Sequence, residues 1–463
     1  MKRSKCLHSL ALLSVALFAM SSVASAVSKE KVLYSFQGGT DGATPAGGVV
    51  FDSAGNLYGA TTNGGSASCH SIAQCGTVFQ LARPAKQGDP WIETVLYVFK
   101  GNASNDGTSP AGGVVIDKAG NLYGTTAYGG TGNCVLLGSK LGCGTVYELS
   151  PPKQKGGAWT ETVLYSFPTA KQGYLPNGDL VFDGAGNLYG ATMFGGGHGT
   201  TCDTLYQYCG AVFELSPPKT KGGKWTEKVL HGFRGGTDGA NPNGGLVLDG
   251  KGAVYGTTFA GGGTSNCHSE GSVGCGTAFR LSSGIGKSGP WSTEVLHRFL
   301  GGTEDTNTPA AGLVWAQGGG LYGATVGGQN SGGDDGAIFR LLPAKQGQPW
   351  KESILHTFCG KQDGCAPMAG LVFDQVSSLY GVAPVGTNFS GMVFRLKSNG
   401  PSNSWQYNSL YNFRGAPDGF GPGAALILDK LGRLYGTTVG GGTGRACQGG
   451  CGTVFELEPG AGN

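Results

Sequence analysis

Internal repetition constrains this chain more than any other feature. A short unit in which Leu or Val precedes Tyr-Gly recurs seven times, at intervals of 55 to 67 residues. Its tyrosines are Tyr58, Tyr123, Tyr189, Tyr255, Tyr322, Tyr380 and Tyr435. A tandem repeat of this kind indicates that each copy is one supersecondary unit, which buries its apolar face against its neighbours. The copies follow one another without a change in composition, so we expect a single domain over residues 27–463.

Each copy contains four apolar segments of strand length, separated by turn residues. In the second copy they cover 91–99, 113–117, 121–126 and 144–149. They are rich in Val, Leu, Tyr, Phe and Thr, and none keeps a 3.6-residue period, which favours strands over helices. The chain is glycine-rich, with 90 Gly in 463 residues, but 39% of its residues are hydrophobic. This composition predicts many turns in a packed fold rather than disorder.

Seven units of four antiparallel strands predict an all-β fold, a seven-bladed β-propeller. The segments that open with small residues, such as 46–48 and 111–113, should be innermost, because the blades converge at the axis. The Trp-led segments should then be outermost. Residues 32–36 resemble an outer strand, and the last blade lacks one. We therefore predict that 32–36 pairs with 452–457, which closes the ring and removes two exposed sheet edges.

The first 26 residues have the pattern of a signal peptide. Lys2 and Arg3 precede an apolar stretch over 11–20, and small residues end the segment at Ala26, where we expect cleavage. The mature chain then carries 29 Lys+Arg against 29 Asp+Glu, because three of the 32 basic residues are removed. A neutral chain is not expected to bind nucleic acid. No transmembrane segment is expected, so we predict an extracellular or periplasmic protein, and a monomer.

Twelve cysteines follow the signal segment, and they form six local pairs. An even number of cysteines in an exported chain predicts disulfides, and their spacing favours bonds between neighbours. Zinc is a weaker alternative, suggested by Cys69-His70 and Cys267-His268, because most of these loops offer only two cysteines. The predicted bonds are Cys69–Cys75, Cys134–Cys143, Cys202–Cys209, Cys267–Cys275, Cys359–Cys365 and Cys447–Cys451.

The repeated motifs resemble a known family. They are Leu-Tyr-Gly-Thr-Thr at 122–126 and 434–438, Gly-Thr-Val-Tyr at 144–147, and the Gly-Gly runs between them. This combination is similar to the gloeo/verruco tandem repeat of the choice-of-anchor GloVer proteins. The resemblance implies an exported bacterial protein, often with a C-terminal sorting anchor, and it supplies no catalytic residues. The sequence ends at 458–463 without an apolar tail, so we expect a soluble exported form.

The loops that lead from one copy to the next carry an Asp in six of the seven copies. One interpretation is that these aspartates line one mouth of the channel and hold sugar hydroxyls. The alternative, which we favour, is that Asp-Gly is a turn pair whose carboxylate binds the local backbone. No metal or other cofactor is expected, and Ca²⁺ is the ion that such a ring would suit, although it needs six to eight oxygens. The residues are Asp41, Asp106, Asp238, Asp305, Asp363 and Asp418.

The loops between the second and third strands differ from copy to copy. Variable loops on a rigid scaffold are a common way to build a binding surface, and we expect these loops to share one face with the loop aspartates. Outside these loops, His231, His297 and His356 occupy a position of the Trp-led segments that is Tyr in the other copies. Exchange of His with Tyr at a fixed position favours a packing role over a catalytic one. The loop residues that we expect to contact a ligand are His70, His198, Tyr206, Tyr208 and His268.

Two functions fit these patterns. The first is an exported binding or scaffolding module that contacts a carbohydrate or an envelope protein through the Asp and Cys loops. The alternative is an enzyme that acts on polysaccharide, a hydrolase or lyase, with carboxylates near the channel. We favour the binding module, because no pair of carboxylates or activated nucleophile stands out from the repeats.

Overall fold

The structure is a computed structural model. It describes residues 28–45, 47–65, 75–101, 104–136, 138–196, 209–220, 222–263, 267–269, 272–284, 289–301, 305–316, 319–327, 335–343, 350–360, 363–386, 389–400 and 404–460. Over these ranges the chain forms strands, turns and two 3-10 turns, and it has no α-helix.

The strands form a seven-bladed β-propeller, as predicted. Each blade is an antiparallel sheet, and in blades one to six the inner, second, third and outer strands follow in chain order. In blade seven the outer strand is supplied by the N-terminal strand. We number the blades one to seven along the chain, and the strands of each kind are named in that order.

The inner strands are Val50–Phe51, Val115–Ile116, Tyr174–Phe182, Val247–Leu248, Val314–Trp315, Val372–Phe373 and Ile427–Leu428. The second strands are Leu57–Thr61, Leu122–Gly129, Leu188–Phe194, Val254–Ala260, Leu321–Gly327, Leu379–Ala383 and Leu434–Thr438. The third strands are Thr77–Ala82, Thr145–Ser150, Ala211–Ser216, Thr277–Ser283, Ala337–Leu342, Met392–Ser398 and Thr453–Glu458. The outer strands are Ile92–Val98, Thr160–Ser166, Thr226–Gly232, Trp291–Arg298, Lys351–Thr357, Trp405–Asn412 and Lys29–Ser35.

Short elements extend this frame. Three strands pair with the far end of a second strand: Gly107–Pro110, Ala240–Pro242 and Asn307–Pro309. Three small ladders lie outside the blades and join Val135–Leu136 to Ser139–Lys140, His268–Ser269 to Ser272–Val273, and Gly419–Phe420 to Gly440–Gly441. The 3-10 turns are Gly39–Asp41 and Gly236–Asp238.

The N-terminal strand closes the ring, as predicted. Lys29–Ser35 runs antiparallel to Thr453–Glu458 as the outer strand of blade seven, with Lys29 opposite Glu458 and Ser35 opposite Thr453. The strand begins three residues before the predicted segment. The first and last described parts of the chain therefore share one sheet, and neither the third strand of blade seven nor the N-terminal strand is left without its partner.

Glycines allow the inner segments to meet at the axis. A Cβ atom at Gly47 would overlap the backbone of Gly112 and Gly113, and a Cβ at Gly112 would overlap the carbonyl of Gly178. Neighbouring blades therefore approach backbone to backbone, which explains why these segments open with Gly and Ala.

Aromatic side chains join neighbouring blades farther out. The Trp near the start of an outer strand packs against an aromatic ring of the preceding blade, as Trp159 does on Tyr58 and Trp225 on Tyr123, with ring centroids 6.2 and 6.4 Å apart. These tryptophans therefore pack between neighbouring blades, on the outer strands where the Trp-led segments were predicted. Each core cluster of buried residues spans two adjacent blades, so the core is a ring of blade interfaces.

Candidate functional site

Two kinds of loop meet at one end of the blades. The loop from an outer strand to the next inner strand runs along the base of the loop between the second and third strands. Thr44, Ser109 and Thr308 donate backbone hydrogen bonds to the carbonyls of Cys451, Cys75 and Cys275, at 2.8, 3.1 and 2.7 Å. We call this end the loop face. The opposite end, with the turns between inner and second strands, is the hairpin face.

Disulfides fasten the loop face. Four of the predicted bonds are confirmed: Cys134–Cys143, Cys267–Cys275, Cys359–Cys365 and Cys447–Cys451. Cys75 and Cys209 are also disulfide-bonded, and their predicted partners, Cys69 and Cys202, lie outside the described residues. Four disulfides indicate an oxidising, non-cytoplasmic location. Because the Cys267 sulfur is used in a disulfide, it is not a thiolate ligand, and the zinc alternative is wrong for that loop.

The six loop aspartates bind their own surroundings. In the loops of Asp41, Asp106, Asp238, Asp305 and Asp418 a carboxylate oxygen accepts a hydrogen bond from a nearby backbone N–H, as Asp41 does from Gln37 at 2.8 Å. A carboxylate oxygen of each of the six also lies within 3.4 Å of a polar ring atom or hydroxyl on the preceding outer strand, a contact that the sequence reasoning missed. The pairs are Tyr34–Asp41, Tyr97–Asp106, His231–Asp238, His297–Asp305, His356–Asp363 and Tyr411–Asp418. Their binding of a ligand stays a prediction.

A third side chain reaches each pair from the outer strand of the next blade. At the three Tyr–Asp pairs it is a glutamate: Glu93 near Asp41, Glu161 near Asp106, and Glu30 near Asp418. Burial, and secondarily the charge of the neighbouring aspartate, raises the pKa of each glutamate to about 7. These carboxylates therefore lie between neighbouring outer strands, away from the axis.

The junction of blades four and five differs from the rest. His297 Nε2 lies 3.4 Å from Asp305 Oδ1 and 3.9 Å from Glu352 Oε2, and potential ligand atoms of the three residues all lie within 4.8 Å of one another. Burial, followed by contact with Asp305, raises the pKa of Glu352 to about 9. Burial alone would raise the pKa of Asp305, but hydrogen bonding and the His297 charge lower it. Among the described residues, no other group of three His, Cys, Asp or Glu side chains meets this ligand spacing.

Polar side chains interrupt the glycine ring at the axis in blades three and four. Asp179 Oδ1 accepts a hydrogen bond from Gly113 N at 2.6 Å, and Asn177 Nδ2 donates to Asn243 Oδ1 at 2.6 Å. Burial raises the pKa of Asp179, and the bond from Gly113 opposes that shift. Sequence reasoning missed this carboxylate, although a comparison of the copies would have found it. Its position in the other blades is held by Gly48, Gly113, Gly245, Gly312, Gly370 and Ala425.

A cavity of about 300 Å³ lies between blades five and six toward the hairpin face, lined among others by Trp315, Tyr322, Arg340, Phe373 and Trp405. In the other six blades an Asp of the hairpin accepts a hydrogen bond from the equivalent tyrosine hydroxyl, and Ala316 replaces it in blade five. The six aspartates are Asp52, Asp117, Asp183, Asp249, Asp374 and Asp429. The loss of this carboxylate makes room beside Tyr322.

Most of the predicted loop residues cannot be placed. His70, His198, Tyr206 and Tyr208 lie outside the described residues, and only the backbone of His268 is described, in a short strand. Their roles stay predictions. Within the described ranges no helix has the length and apolar character needed to span a membrane.

The sequence profile of the Gloeobacter/Verrucomicrobia repeat matches residues 15–269, 134–367 and 265–463, which together cover almost the whole chain. The chain belongs to this repeat family. The resemblance found in the repeated motifs is thereby confirmed. A comparison with curated proteins gives no match.

Solved structures of other propeller-like proteins resemble the fold at low identity. A fungal alcohol oxidase of the AA5 family, in complex with copper, has a TM-score of 0.53 at 12% identity, over 94% of this chain and 76% of its own. A protein of unknown function from Dyadobacter fermentans has a TM-score of 0.43 at 13% identity, over 93% and 98%. A gluconolactonase from Xanthomonas campestris has a TM-score of 0.36 at 17% identity, over 68% and 78%. At these identities the similarity concerns the fold alone.

Proposed function

We propose that the protein is an exported binding module that binds a glycan near the central axis, where the inner segments of the blades begin. The observation that carries this proposal is the polar group formed by Asn177, Asp179 and Asn243. Apart from Met368, the surrounding positions of the ring are glycine or alanine, so these three residues supply the polar side-chain chemistry there. In a repeat protein whose scaffold is uniform, such a departure is where a ligand is expected.

The chemistry of this group suits hydroxyl groups. A carboxylate accepts hydrogen bonds from neighbouring hydroxyls, and an amide both donates and accepts them. A ligand of this kind needs no charge, in keeping with a mature chain that has no net charge. A protein partner would need a much larger surface, on the order of 1,000 Å² or more, and the envelope protein is therefore the less favoured ligand.

Export would bring such a module into contact with extracellular or periplasmic glycans. The basic start, the apolar stretch and the small residues before Ala26 support a signal peptide that is removed after Ala26. The disulfides of the loop face agree with this destination. Secretion of the chain by a bacterial host, followed by N-terminal sequencing of the exported protein, tests the cleavage site. A mature chain that still begins at residue 1 would contradict it.

The decisive test of the binding site uses residues that the repeat itself supplies. A glycan array with the mature protein identifies a ligand, and calorimetry then compares Asp179→Gly and Asn177→Ala with the parent. Both substitutions introduce the residue found in other blades, so the fold should tolerate them. We expect each to weaken binding by about 10-fold or more, because a hydrogen bond to a charged or buried polar group is lost.

The matched control is the loop aspartate of a blade junction. Asp238→Ala removes a carboxylate on the loop face that already binds His231 and the local backbone. We expect this variant to bind the glycan as the parent does. Normal binding by Asp179→Gly together with lost binding by Asp238→Ala or Asp418→Ala would place the ligand at the junction loops and overturn the axial site.

The alternative function is an enzyme that acts on polysaccharide. Hydrolysis of a glycoside commonly requires two carboxyl groups about 5–10 Å apart, one of them a proton donor. Asp179 is the only acidic residue in the seven tripeptides that open the inner strands. The glycans that bind should therefore be recovered intact. Release of reducing or unsaturated ends, lost in Asp179→Gly, would favour the enzyme.

A further inference from the structure

We propose that His297, Asp305 and Glu352 form a binding site for one divalent transition-metal ion, best represented by Zn²⁺. The site lies at the junction of blades four and five. His297 belongs to the outer strand Trp291–Arg298, Asp305 to the loop that follows, and Glu352 to the outer strand Lys351–Thr357. It is separate from the axial group to which the glycan is assigned.

The distances fit a shared ion better than direct hydrogen bonds. An N–H···O hydrogen bond usually spans 2.7–3.2 Å, yet His297 Nε2 lies 3.4 Å from Asp305 and 3.9 Å from Glu352. Zinc bonds to imidazole and carboxylate of about 2.0–2.2 Å place tetrahedral ligand atoms about 3.3–3.6 Å apart. The two other histidine junctions differ, because His231 and His356 each lie 3.1 Å from their aspartate.

The repeat provides a further argument. In each outer strand one position carries Tyr or His, and a second position, which faces the ring of the preceding blade, carries Glu, Thr or Tyr. A histidine faces a glutamate only at the junction of blades four and five. His231 is faced by Thr293, and His356 is faced by Tyr407. Where the facing residue is a glutamate, the ring is a tyrosine, at Tyr34, Tyr97, Tyr165 and Tyr411.

Surrounding groups hold the ligands in place. Thr306 stands where the other five loops have the Gly of Asp-Gly. Its N–H donates to Asp305 Oδ1 at 2.8 Å, and its hydroxyl donates to Glu352 Oε1 at 2.9 Å. Leu300 N donates to Asp305 Oδ2 at 2.8 Å. Because Thr306 holds Oε1 of Glu352, Oε2 faces the imidazole of His297. Hydrogen bonds of this kind, from residues that do not touch the metal, orient the ligands in metal sites.

The ligand set selects the kind of ion. One imidazole and two carboxylates suit Zn²⁺ and its first-row neighbours, with water or a ligand group completing the coordination. Ca²⁺ prefers six to eight oxygens and does not favour nitrogen, so this site should not hold it. Two carboxylates in contact within a largely buried site also require a nearby positive charge or a shared proton, and the experiment shows whether a bound metal ion supplies that charge.

The test uses the mature, disulfide-bonded protein after treatment with a chelator. Calorimetry with ZnCl₂ should show one tight site per chain, while CaCl₂ gives none. His297→Tyr introduces the residue of four other junctions and should weaken Zn²⁺ binding by at least about 100-fold, since even outer-contact losses cost 10- to 100-fold. Glu352→Thr, which introduces the residue found at Thr293, should do the same. His231→Tyr is the matched control and should bind Zn²⁺ like the parent.

A second readout separates loss of ligands from loss of fold. Co²⁺ should give a visible absorption band in the parent and in His231→Tyr, but not in His297→Tyr. Circular dichroism and thermal unfolding without metal check that each variant is folded. Absence of a tight Zn²⁺ site in the parent would overturn the proposal in favour of a shared proton. Equal Zn²⁺ binding by a folded His297→Tyr would overturn it as well.

Discussion

Stability of the propeller should fall as the pH rises from about 4.5 to about 7, because of the glutamates at the blade junctions. Glu30, Glu93 and Glu161 have pKa values raised from 4.5 to about 7, chiefly by burial and then by a neighbouring aspartate. In this interval the folded chain holds protons that the unfolded chain has released. The free energy of unfolding therefore decreases with pH and levels off above the folded pKa.

The perturbation that tests this is Glu→Gln at each of the three positions. One oxygen of each glutamate, Oε1, is buried without a hydrogen-bond partner among the described residues. A protonated carboxyl or an amide supplies a donor near the aspartate, whereas an ionised carboxyl repels it. Gln keeps the shape and cannot ionise, so each variant should lose the pH dependence that its glutamate causes.

The magnitude follows from the pKa values. For a fully buried group, a rise from 4.5 to about 7 corresponds to about 3 kcal/mol of lost stability once the group is ionised. These side chains are only partly buried, and solvent screening reduces the figure to about 1 kcal/mol each. The three glutamates belong to successive junctions, but each interacts with a different aspartate, so their effects should add to about 3 kcal/mol in the triple variant.

Urea unfolding at pH 4.5 and pH 8 measures the effect. The Gln variants should be more stable than the parent at pH 8 and equal to it at pH 4.5. The control is Glu294→Gln, on the outer strand of blade four, where the carboxylate is exposed and pairs with Arg280 at 3.5 Å. It should change stability by less than about 0.5 kcal/mol at either pH. Equal stabilisation of the Gln variants at both pH values would refute the reasoning.

Three further predictions concern the scaffold. Deletion of residues 27–36 should expose the edge of Thr453–Glu458, with a large loss of melting temperature or aggregation in light scattering; a deletion variant as stable as the parent would contradict closure by Lys29–Ser35. Gly112→Val should destabilise the ring strongly in thermal unfolding, because its side chain meets the Gly178 backbone, while the same change at open Gly184 should not. Ala316→Asp should restore a hydrogen bond to Tyr322 and raise stability by about 1 kcal/mol in urea; an unchanged midpoint would argue against this account of the cavity.

The repeat made the fold predictable to the level of single strands. Seven copies of the same turn and strand pattern revealed the strand order, the small residues at the axis and the closing role of residues 32–36. The first two are local properties, because blades are hairpin-connected sheets in which neighbours in sequence pair in space. The four observed disulfides were predictable for the same reason, since their cysteines are close in the chain. The closing role of 32–36 followed from the strand count, since the first copy has one strand too many and the last has one too few.

The junction networks were beyond this reasoning. Each combines an outer-strand ring, a loop aspartate seven to nine residues later and a side chain of the next blade. That third side chain is distant in sequence, as Thr293 is 62 residues from His231, and Glu30 reaches Tyr411 from the other end of the chain. Local patterns do not show that the loop folds back on its own strand. Asp179 was different, because a comparison of its position across the copies would have revealed it. Sequence reasoning looked for departures in the loops, and this one lies in the scaffold.

The axial group and the metal-ligand group should act independently, because they are built on different parts of the propeller. Asp179 lies in the inner segment of blade three and contacts blade two, whereas His297, Asp305 and Glu352 belong to outer strands and the loop between blades four and five. Substitutions that share no contacts are additive. Asp179→Gly should therefore leave Zn²⁺ binding unchanged, and His297→Tyr should leave glycan affinity unchanged, with and without ZnCl₂. A glycan affinity that falls in His297→Tyr, or that requires Zn²⁺, would mean that the ligand extends from the axis across the loop face to the metal, and that the two sites form one binding surface.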